Sequence, residues 1–511
     1  MLLSVLPGSA VKAQPSSESL QSITTTDLKR HLSFLASDEL GGRYSFAPSG
    51  PITARYLATQ LASYGYRGAG PDSSFFQNVP LSHGTVDPSQ SRLVLTVRGV
   101  AQPFTYESDY MLETPGEIPA YVQSELVFAG YGISSPRHHY DDYTGLDVKG
   151  KFVITVKGTP ESLNEVVLAW DERGNAAAAA HGARGHIVIS QGLLSNYAVY
   201  SASYAERAFY GFSRPATTEA LQVVQAGPAL VKAIADALGL EEDFLVAPEG
   251  KPLAPRAIPA TVEITTRFEA EAMPPTYNVL GILEGADPSL KDEYVAFGAH
   301  YDHLPASTNG PVFNGADDNA SGTAAILEVA QALAAGPRPG RSTLIVFFTA
   351  EEIGLYGSKY FIDYEPVVPL GNLVAFLDAD MVGRSREEGG SGSLNTDLTD
   401  QNTVYLLGAD RRSRELYHLS EQANAETVQL QLDYTYQGPR GLMFLRSDHY
   451  NFDRHGIPVI WYHTGGPPEY HKPTDDVEKI DFEKLARISQ LIVATGWRVL
   501  NLDHRLVVDN P

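Results

Sequence analysis

Cysteine is absent from the 511 residues of this chain. Disulfide bonds, thiolate zinc ligands and cysteine nucleophiles are therefore excluded, whereas an oxidising compartment is not. Any metal ion must be bound by histidine, aspartate or glutamate, because these are the other side chains that commonly ligate metals.

Basic residues are also scarce. The chain has 38 lysines and arginines against 61 aspartates and glutamates, which gives a net charge of −23. Such a surplus repels phosphate backbones, so nucleic acid is excluded as a partner, and it favours the binding of cations. Apolar residues make up 43% of the chain and charged residues 19%, a composition typical of a globular protein.

Long apolar runs are missing after the first residues, so we expect no membrane span. The opening stretch from Leu2 to Val11 is apolar and is followed by Lys12 and Ala13. It resembles the end of a secretory signal, although no basic residue precedes it. We therefore expect residues 1–14 to be a truncated export signal and the protein to be secreted or periplasmic. The sequence does not predict an oligomeric state.

The pattern of apolar residues predicts an α/β protein. From residue 279 onward, short buried-strand runs alternate with helices, which is typical of a mixed, mostly parallel sheet sandwiched by helices. Residues 20–115 are expected to form the first part of this domain and residues 269–511 the remainder. Between them, residues 116–268 read as a second, β-rich unit with helices at 172–182 and 229–238.

Metal-ligand side chains follow the predicted strands. Because ligands collect at the carboxyl ends of strands in α/β sheets, the polar residues there are candidate site residues. They are found at five places in the chain: His300 and Asp302; Asp317 and Asp318, directly before a helix; Glu351 and Glu352; Asp378 and Asp380; and Tyr470 and His471.

Several clustered carboxylates would repel one another unless cations neutralise them. Ligation by histidine and carboxylate favours zinc, with cobalt or manganese as alternatives. Competing motifs, namely His-Glu-x-x-His, Gly-x-Ser-x-Gly and the phosphate-binding glycine loops, do not occur. We interpret His303 as a neighbour of the site and not as a ligand, because a spacing of three at a strand end does not place two side chains on one face.

Five sequence motifs around these residues resemble the co-catalytic di-zinc aminopeptidases, metallopeptidase family twenty-eight. The motifs are Gly-Ala-His300-Tyr-Asp302, Gly-Ala-Asp317-Asp318-Asn-Ala-Ser-Gly, Thr-Ala-Glu351-Glu352, Asp380-Met-Val-Gly-Arg and Tyr470-His471-Lys-Pro-Thr-Asp475. They occur in order within residues 270–500. The opening segment at residues 35–43 is similar to the N-terminal segment of secreted members, and residues 116–268 are similar to the protease-associated domain that is often inserted in them.

The resemblance implies a zinc-aminopeptidase-like fold with two zinc ions per chain. It implies that Asp318 bridges the ions, that His300 and Asp380 complete one site, and that Glu352 and His471 complete the other. It also implies a cis peptide bond between Asp318 and Asn319.

Four further side chains are assigned roles around these ligands. Asp302 is expected to accept a hydrogen bond from the second imidazole N–H of His300, and Asp475 to lie behind the ligands. Glu351 is the candidate general base, and Tyr470 can donate its hydroxyl to a developing oxyanion.

The predicted function is a zinc-dependent exopeptidase that removes N-terminal amino acids from peptides through a metal-bridging hydroxide. Its expected partners are peptide substrates with a free N-terminus. A carboxypeptidase remains an alternative, because Arg440 and Arg446 could bind a substrate carboxylate. The full set of ligands argues against two further readings, a single-zinc glutaminyl cyclase and a metal-free binding relative.

Overall fold

The computed structural model describes residues 14–113, 120–164, 168, 172–205, 209–213, 221–246, 250, 253–306, 310–386, 397–436 and 442–509. All but the last residue of the predicted export signal lie outside this set, as do residue 116 and Arg440. The chain divides into two compact units, one formed by Met1–Val79 with Pro275–Pro511 and the other by Pro80–Pro274.

The first unit is built on a nine-stranded mixed sheet. With strands numbered along the chain, they are β1 (Arg67–Gly68), β2 (Phe76–Val79), β16 (Thr276–Leu283), β17 (Tyr294–His300), β18 (Ser342–Phe348), β19 (Leu373–Ala379), β20 (Thr403–Leu407), β21 (Gln431–Asp433) and β22 (Val459–His463). Their order is β1-β16-β18-β17-β19-β22-β20-β21, and β2 also pairs with β16.

The centre of this sheet is parallel. Strand β17 lies between β18 and β19, and β22 lies beside β19, all in parallel register. On either side, β16 and β20 run antiparallel to their inner neighbours. The expected mixed sheet is confirmed. Parallel pairing, expected for most of the sheet, is limited to these central strands and the edge pair of β20 and β21.

Helices cover both faces of this sheet, as expected. They are α1 (Ser17–Gln21), α2 (Thr25–Leu35), α3 (Ser49–Ser63), α9 (Gly322–Ala335), α10 (Tyr356–Asp363), α11 (Arg414–Glu426), α12 (His449–Asp453) and α13 (Phe482–Leu500). Phe297 of β17 belongs to the core formed with α2, α3, α9 and α13. Phe376 of β19 is paired in register with Ala296, so it points to the opposite face, where it stacks on Phe452 of α12.

The second unit contains an eight-stranded, a three-stranded and a two-stranded sheet. Its strands are β3 (Leu81–Val86), β4 (Arg92–Val97), β5 (Val100–Thr105), β6 (Tyr110–Leu112), β7 (Tyr121–Phe128), β8 (Ser134–Ser135), β9 (Tyr140–Asp141), β10 (Phe152–Val156), β11 (Gly185–Ile189), β12 (Phe209–Phe212), β13 (Gln222–Ala226), β14 (Arg256–Thr265) and β15 (Phe268–Ala272). Its helices are α4 (Gly174–Ala180), α5 (Gln191–Leu194), α6 (Tyr197–Ala205), α7 (Pro228–Leu238) and α8 (Glu242–Val246). Helices α4 and α7 correspond to the two predicted there.

The boundary of the second unit differs from the expected one. The sequence pattern assigns residues 80–115 to the first part of the peptidase domain, yet the compact unit begins at Pro80. The reason is strand pairing: β4 pairs with β14 and β5, and β6 pairs with β13. The similarity of residues 116–268 to a protease-associated domain stays a prediction.

Within the part of the chain that the structure describes, no helix has the length and apolar character that crossing a bilayer requires.

We predict that Gly496→Ala destabilises the first unit. A β-carbon at Gly496 of α13 would lie 2.3 Å from the ring of Phe297. Overpacking of a core costs about 1–3 kcal/mol, whereas alanine gains at most about 1 kcal/mol over glycine in a helix. Thermal unfolding should therefore show a lower midpoint. Gly192→Ala in α5 is the control, since a β-carbon added there would have no atom within 4 Å; an equal rise of the midpoint in both variants would contradict this packing argument.

Candidate metal centre

The carboxyl ends of the central parallel strands bring three of the predicted site residues together. His300 is the last residue of β17, Asp380 directly follows β19, and Glu351 comes three residues after β18. The Nε2 atom of His300 lies 3.3 Å from Asp380 Oδ1 and 3.8 Å from Glu351 Oε2. Adjacent parallel strands thus place at one sheet edge residues that are up to 80 positions apart in sequence.

Asp318 enters the same site from the turn at Ala316–Ser321, which leads into α9. The Asp318–Asn319 peptide bond is cis, as the family resemblance implies. One carboxylate oxygen of Asp318 lies 3.5 Å from His300 Nε2, and the other lies 3.2 Å from His471 Nε2. Asp318 therefore faces both predicted metal positions.

Two groups of donors could each hold a metal ion within the described residues. The first consists of His300, Asp318 and Asp380, and the second of His303, Asp318 and Glu352. Asp318 is common to both groups, as expected of a bridging ligand. The described residues thus provide donors for two neighbouring ions.

Two imidazoles contact Glu352, whereas sequence reasoning predicts only one. His471 Nε2 lies 3.1 Å from Glu352 Oε2, and the fully buried Nδ1 of His303 lies 2.6 Å from Glu352 Oε1. The prediction that His303 is only a neighbour of the site applies the side-chain spacing of a strand to residues that follow β17. The chain leaves the strand at His300, so that spacing rule no longer applies. The place of His303 directly after His300-Tyr-Asp302 is the signal that could have indicated its role.

Asp302 does not make its expected contact. His300 Nδ1 lies 3.2 Å from the backbone carbonyl oxygen of Asp302, while the nearest carboxylate oxygen is 3.8 Å away. That carboxylate instead accepts hydrogen bonds from the backbone N–H of Glu351 and the hydroxyl of Ser45. Asp302 thus fixes the segment that carries the two glutamates, and its backbone orients His300.

Asp475 lies behind the backbone of Asp317 and Asp318. Its Oδ2 atom accepts hydrogen bonds from the backbone N–H groups of Asp317 and Asp318, at 3.0 and 3.1 Å. Its own carbonyl oxygen accepts a bond from the N–H of Ala316. These contacts fix the backbone that presents Asp318.

Arg43 also supports the turn that carries Asp318. The sequence does not predict this role, although Arg43 is the last residue of the segment at 35–43. Its buried guanidinium donates to the carbonyl oxygens of Tyr301, Asn314 and Gly315. Burial lowers the pKa of Arg43 to about 10, with Asp318 and Asp475 acting in the opposite direction. Arg43 therefore stays charged at neutral pH.

Charge repulsion shapes the ionisation of the site. Burial and the carboxylate of Glu352 raise the pKa of Asp318, and burial with Glu352 and Asp380 raises the pKa of Glu351 well above its usual range. Burial also opposes ionisation of Glu352, but hydrogen bonds from His303 and His471 outweigh it and lower its pKa. Bound cations would relieve this repulsion. The imidazole and carboxylate donors fit the zinc ions that the sequence predicts.

Non-glycine residues with a left-handed backbone occur at or next to three of the predicted site residues. Ala350 precedes Glu351 with φ of 56°, Met381 follows Asp380 with φ of 56°, and His471 itself has φ of 55°. Such conformations cost about 1–3 kcal/mol each and persist only where the surroundings impose them. The protein therefore stabilises strained backbone at three of the five predicted positions.

His300, Asp318, Glu352 and Asp380 line a cavity of about 350 Å³. Tyr470 also lines it, with its ring stacked on His471 at a centroid distance of 3.8 Å. Arg446 lies on the wall, with its guanidinium 6.0 Å from the centre of the Tyr470 ring. The rest of the lining includes Met381, Asp397, Tyr436, Met443, Trp461, His463 and Pro467. The cavity therefore combines metal donors with a largely aromatic and apolar wall.

We predict that Asp318→Asn lowers the affinity for both metal ions, because its carboxylate belongs to both donor groups. Asp380→Asn should lower the affinity for only one of the two ions. Metal analysis after dialysis against limiting zinc measures this difference, and Asp397→Asn, which changes a cavity residue outside both groups, is the control. Loss of a single ion from the Asp318 variant would contradict a shared ligand.

Comparison with known proteins shows similarity to one peptidase family over part of the chain. Residues 278–496 match the sequence model of a family described as "Peptidase family M28". The aminopeptidase YwaD of Bacillus subtilis (strain 168) is 28% identical over 249 residues, 48% of this chain and 49% of the relative. Leucine aminopeptidase 2 of Arthroderma otae is 31% identical over 126 residues, 25% of this chain and 23% of the relative. The chain thus spans about half or less of the length of these curated relatives.

The aminopeptidase from Aneurinibacillus sp. strain AM-1 is a solved structure that aligns with 96% of this chain and 97% of its own, with a TM-score of 0.46 and 20% identity. The family match covers all five motifs from His300 to Asp475. Residues 278–496, less than half of the chain, are therefore similar to peptidase family M28.

Proposed function

We propose that this protein is a zinc-dependent aminopeptidase that releases single residues from the N-terminus of peptides. The observation that carries the proposal is the pair of donor groups that share Asp318, the first made by His300 and Asp380 and the second by His303 and Glu352. A centre of two ions about one carboxylate suits hydrolysis of a polar bond. The names of the relatives, an aminopeptidase and a leucine aminopeptidase, support action at the N-terminus.

His300 and Asp380 would hold one ion, Glu352 and His471 the other, and Asp318 both. His471 is chosen over His303 because its Nε2 atom lies 3.2 Å from Asp318 Oδ2 and 3.1 Å from Glu352 Oε2, whereas His303 Nδ1 is 3.8 Å from Asp318 Oδ2. When bound, the ions would lower the pKa of a water molecule and polarise the scissile carbonyl. His303 would orient Glu352 through its Nδ1 atom, 2.6 Å from Oε1. Asp302 and Asp475 would fix the backbone of the glutamates and of Asp318.

Glu351 is proposed to accept the proton of the attacking water and deliver it to the leaving amine. It borders the cavity beside Asp380 and His300, and bound cations would favour the ionised carboxylate that a general base requires. Tyr470 is proposed to donate its hydroxyl to the oxyanion. Burial raises the pKa of Tyr470, which keeps this hydroxyl protonated at neutral pH.

A carboxypeptidase is the second candidate, because Arg446 lies on the cavity wall and could bind a substrate carboxylate. Arg440, the second arginine that the sequence suggests for this role, lies outside the described residues. A glutaminyl cyclase with one zinc ion is disfavoured by the second donor group. We further propose that the protein is secreted or periplasmic, and that the second unit is a protease-associated-type domain without a catalytic role.

Two substrate sets distinguish these activities. Met381, Met443 and Trp461 on the cavity wall favour an apolar N-terminal residue. We expect leucine p-nitroanilide to be hydrolysed faster than the glutamate analogue, with activity lost in chelator and restored by zinc. Hydrolysis of N-blocked dipeptides, together with inert nitroanilides, would instead establish the carboxypeptidase.

The two adjacent glutamates should respond differently to amide substitution. Glu351→Gln should retain both zinc ions but lose about 10²–10⁴-fold in kcat, since a positioned base typically contributes that much. Glu352→Gln should lower zinc content as well. Parallel metal analysis and steady-state kinetics test this division, and equal zinc loss in both variants would contradict it.

A further inference from the structure

The segment that carries Tyr470 and His471 has little regular structure to support it. It follows β22 and contains short-range backbone hydrogen bonds, such as that from Tyr470 N–H to the Pro467 carbonyl and from Lys472 N–H to that of Glu469. His471 also has a left-handed backbone, with φ of 55°. The position of these two side chains must therefore be fixed by contacts at both ends of the segment.

Arg384 contacts both ends. Its Nη2 atom donates to Glu469 Oε2 at 2.9 Å, and its Nη1 atom lies 3.8 Å from Asp475 Oδ1. Glu469 directly precedes Tyr470, and Asp475 lies four residues after His471. The side chain of Arg384 is only 8% exposed, so these charge interactions are weakly screened.

The backbone around Arg384 is itself fixed. The carbonyl oxygen of Arg384 accepts a hydrogen bond of 2.9 Å from the buried ammonium of Lys484 in α13, and the N–H of Gly383 donates to Asp317 Oδ1 at 2.8 Å. Lys484 also donates to Thr399 and Asp400. Arg384 thus extends toward the segment from backbone that is hydrogen-bonded to Lys484 and Asp317.

The two ends of the segment differ in their other supports. Asp475 is bonded to the backbone of Asp317 and Asp318 independently of Arg384. Glu469 has one other ionic partner, Lys479 at 3.0 Å, within the described residues, and that lysine is 36% exposed. Exposed ion pairs contribute little, so Arg384 is the main support of the end that precedes Tyr470.

We propose that Arg384 is a positioning residue: by pairing with Glu469 beside Asp475, it sets the position of His471 and Tyr470 and so the affinity of the ion shared by Glu352 and His471. The inference rests on the proposed metal centre and deepens it. Across the described part of the chain, Arg384 forms ion pairs within 4 Å with Glu469 and Asp475, and neither of them is a proposed metal ligand. Arg384 therefore acts on the metal through the segment and not by direct contact.

Calorimetric zinc titration of the full chain after chelator treatment tests the proposal. Arg384→Met should lower the affinity for one of the two zinc ions by about 10–100-fold, the usual effect of losing a residue that orients a ligand. The affinity for the other ion should stay unchanged. Glu469→Gln should lower the affinity for the same ion. The double variant with Arg384→Met and Glu469→Gln should show no further loss of affinity. Arg384→Lys, which can still reach Glu469, should recover part of the affinity.

Arg454→Met is the matched control, because Arg454 is a partly buried arginine paired with Asp363 between α10 and α12. Unchanged zinc affinities in Arg384→Met, or equal weakening of both ions, would overturn the proposal. If Arg384→Met does not fold, Glu469→Gln alone decides by the same criterion. Two bound ions without release of amino acids would overturn only the proposed function, whereas fewer than two ions in the wild type would overturn both.

Discussion

Repulsion between buried carboxylates is the constraint on which this site depends. Asp318, Glu351 and Asp380 meet around His300, Glu352 meets Asp318 at His471, and all four carboxylates lie almost entirely inside the protein. Burial, together with the like charges nearby, favours protonation, and the raised pKa values of Asp318 and Glu351 express that cost. Two divalent ions would remove it, since three ligating carboxylates contribute three negative charges against four positive ones. Metal binding and the stability of this edge of the sheet are therefore coupled.

Surrounding side chains keep these carboxylates in place by hydrogen bonding to the backbone that carries them. Arg43 binds three carbonyl oxygens beneath the turn of Asp318, and Asp475 binds N–H groups of the same turn. Asp302 fixes the N–H of Glu351. Each of these side chains is charged, buried and bonded to main-chain atoms, which is how a protein satisfies the polar groups of irregular segments that it must bury.

Sequence reasoning anticipates the parts of this arrangement that follow from strand ends. His300, Glu351 and Asp380 can be found because apolar runs precede them and parallel strands end at one edge. His303 cannot, since its position depends on the path of a loop after β17. The pairing of Arg384 with Glu469 across 85 residues likewise depends on loop geometry that residue spacing does not encode. The start of the second unit at Pro80 is missed because β4 and β6 find their partners more than 110 residues later.

The claim that two cations balance the carboxylate cluster is tested most directly by thermal unfolding combined with zinc titration of the chelator-treated full chain. We predict that the chain binds two zinc ions and that the unfolding midpoint rises with free zinc, because the ions bind the folded centre and not the dispersed side chains. Binding of a single ion, or a midpoint that does not respond to zinc, would contradict this account.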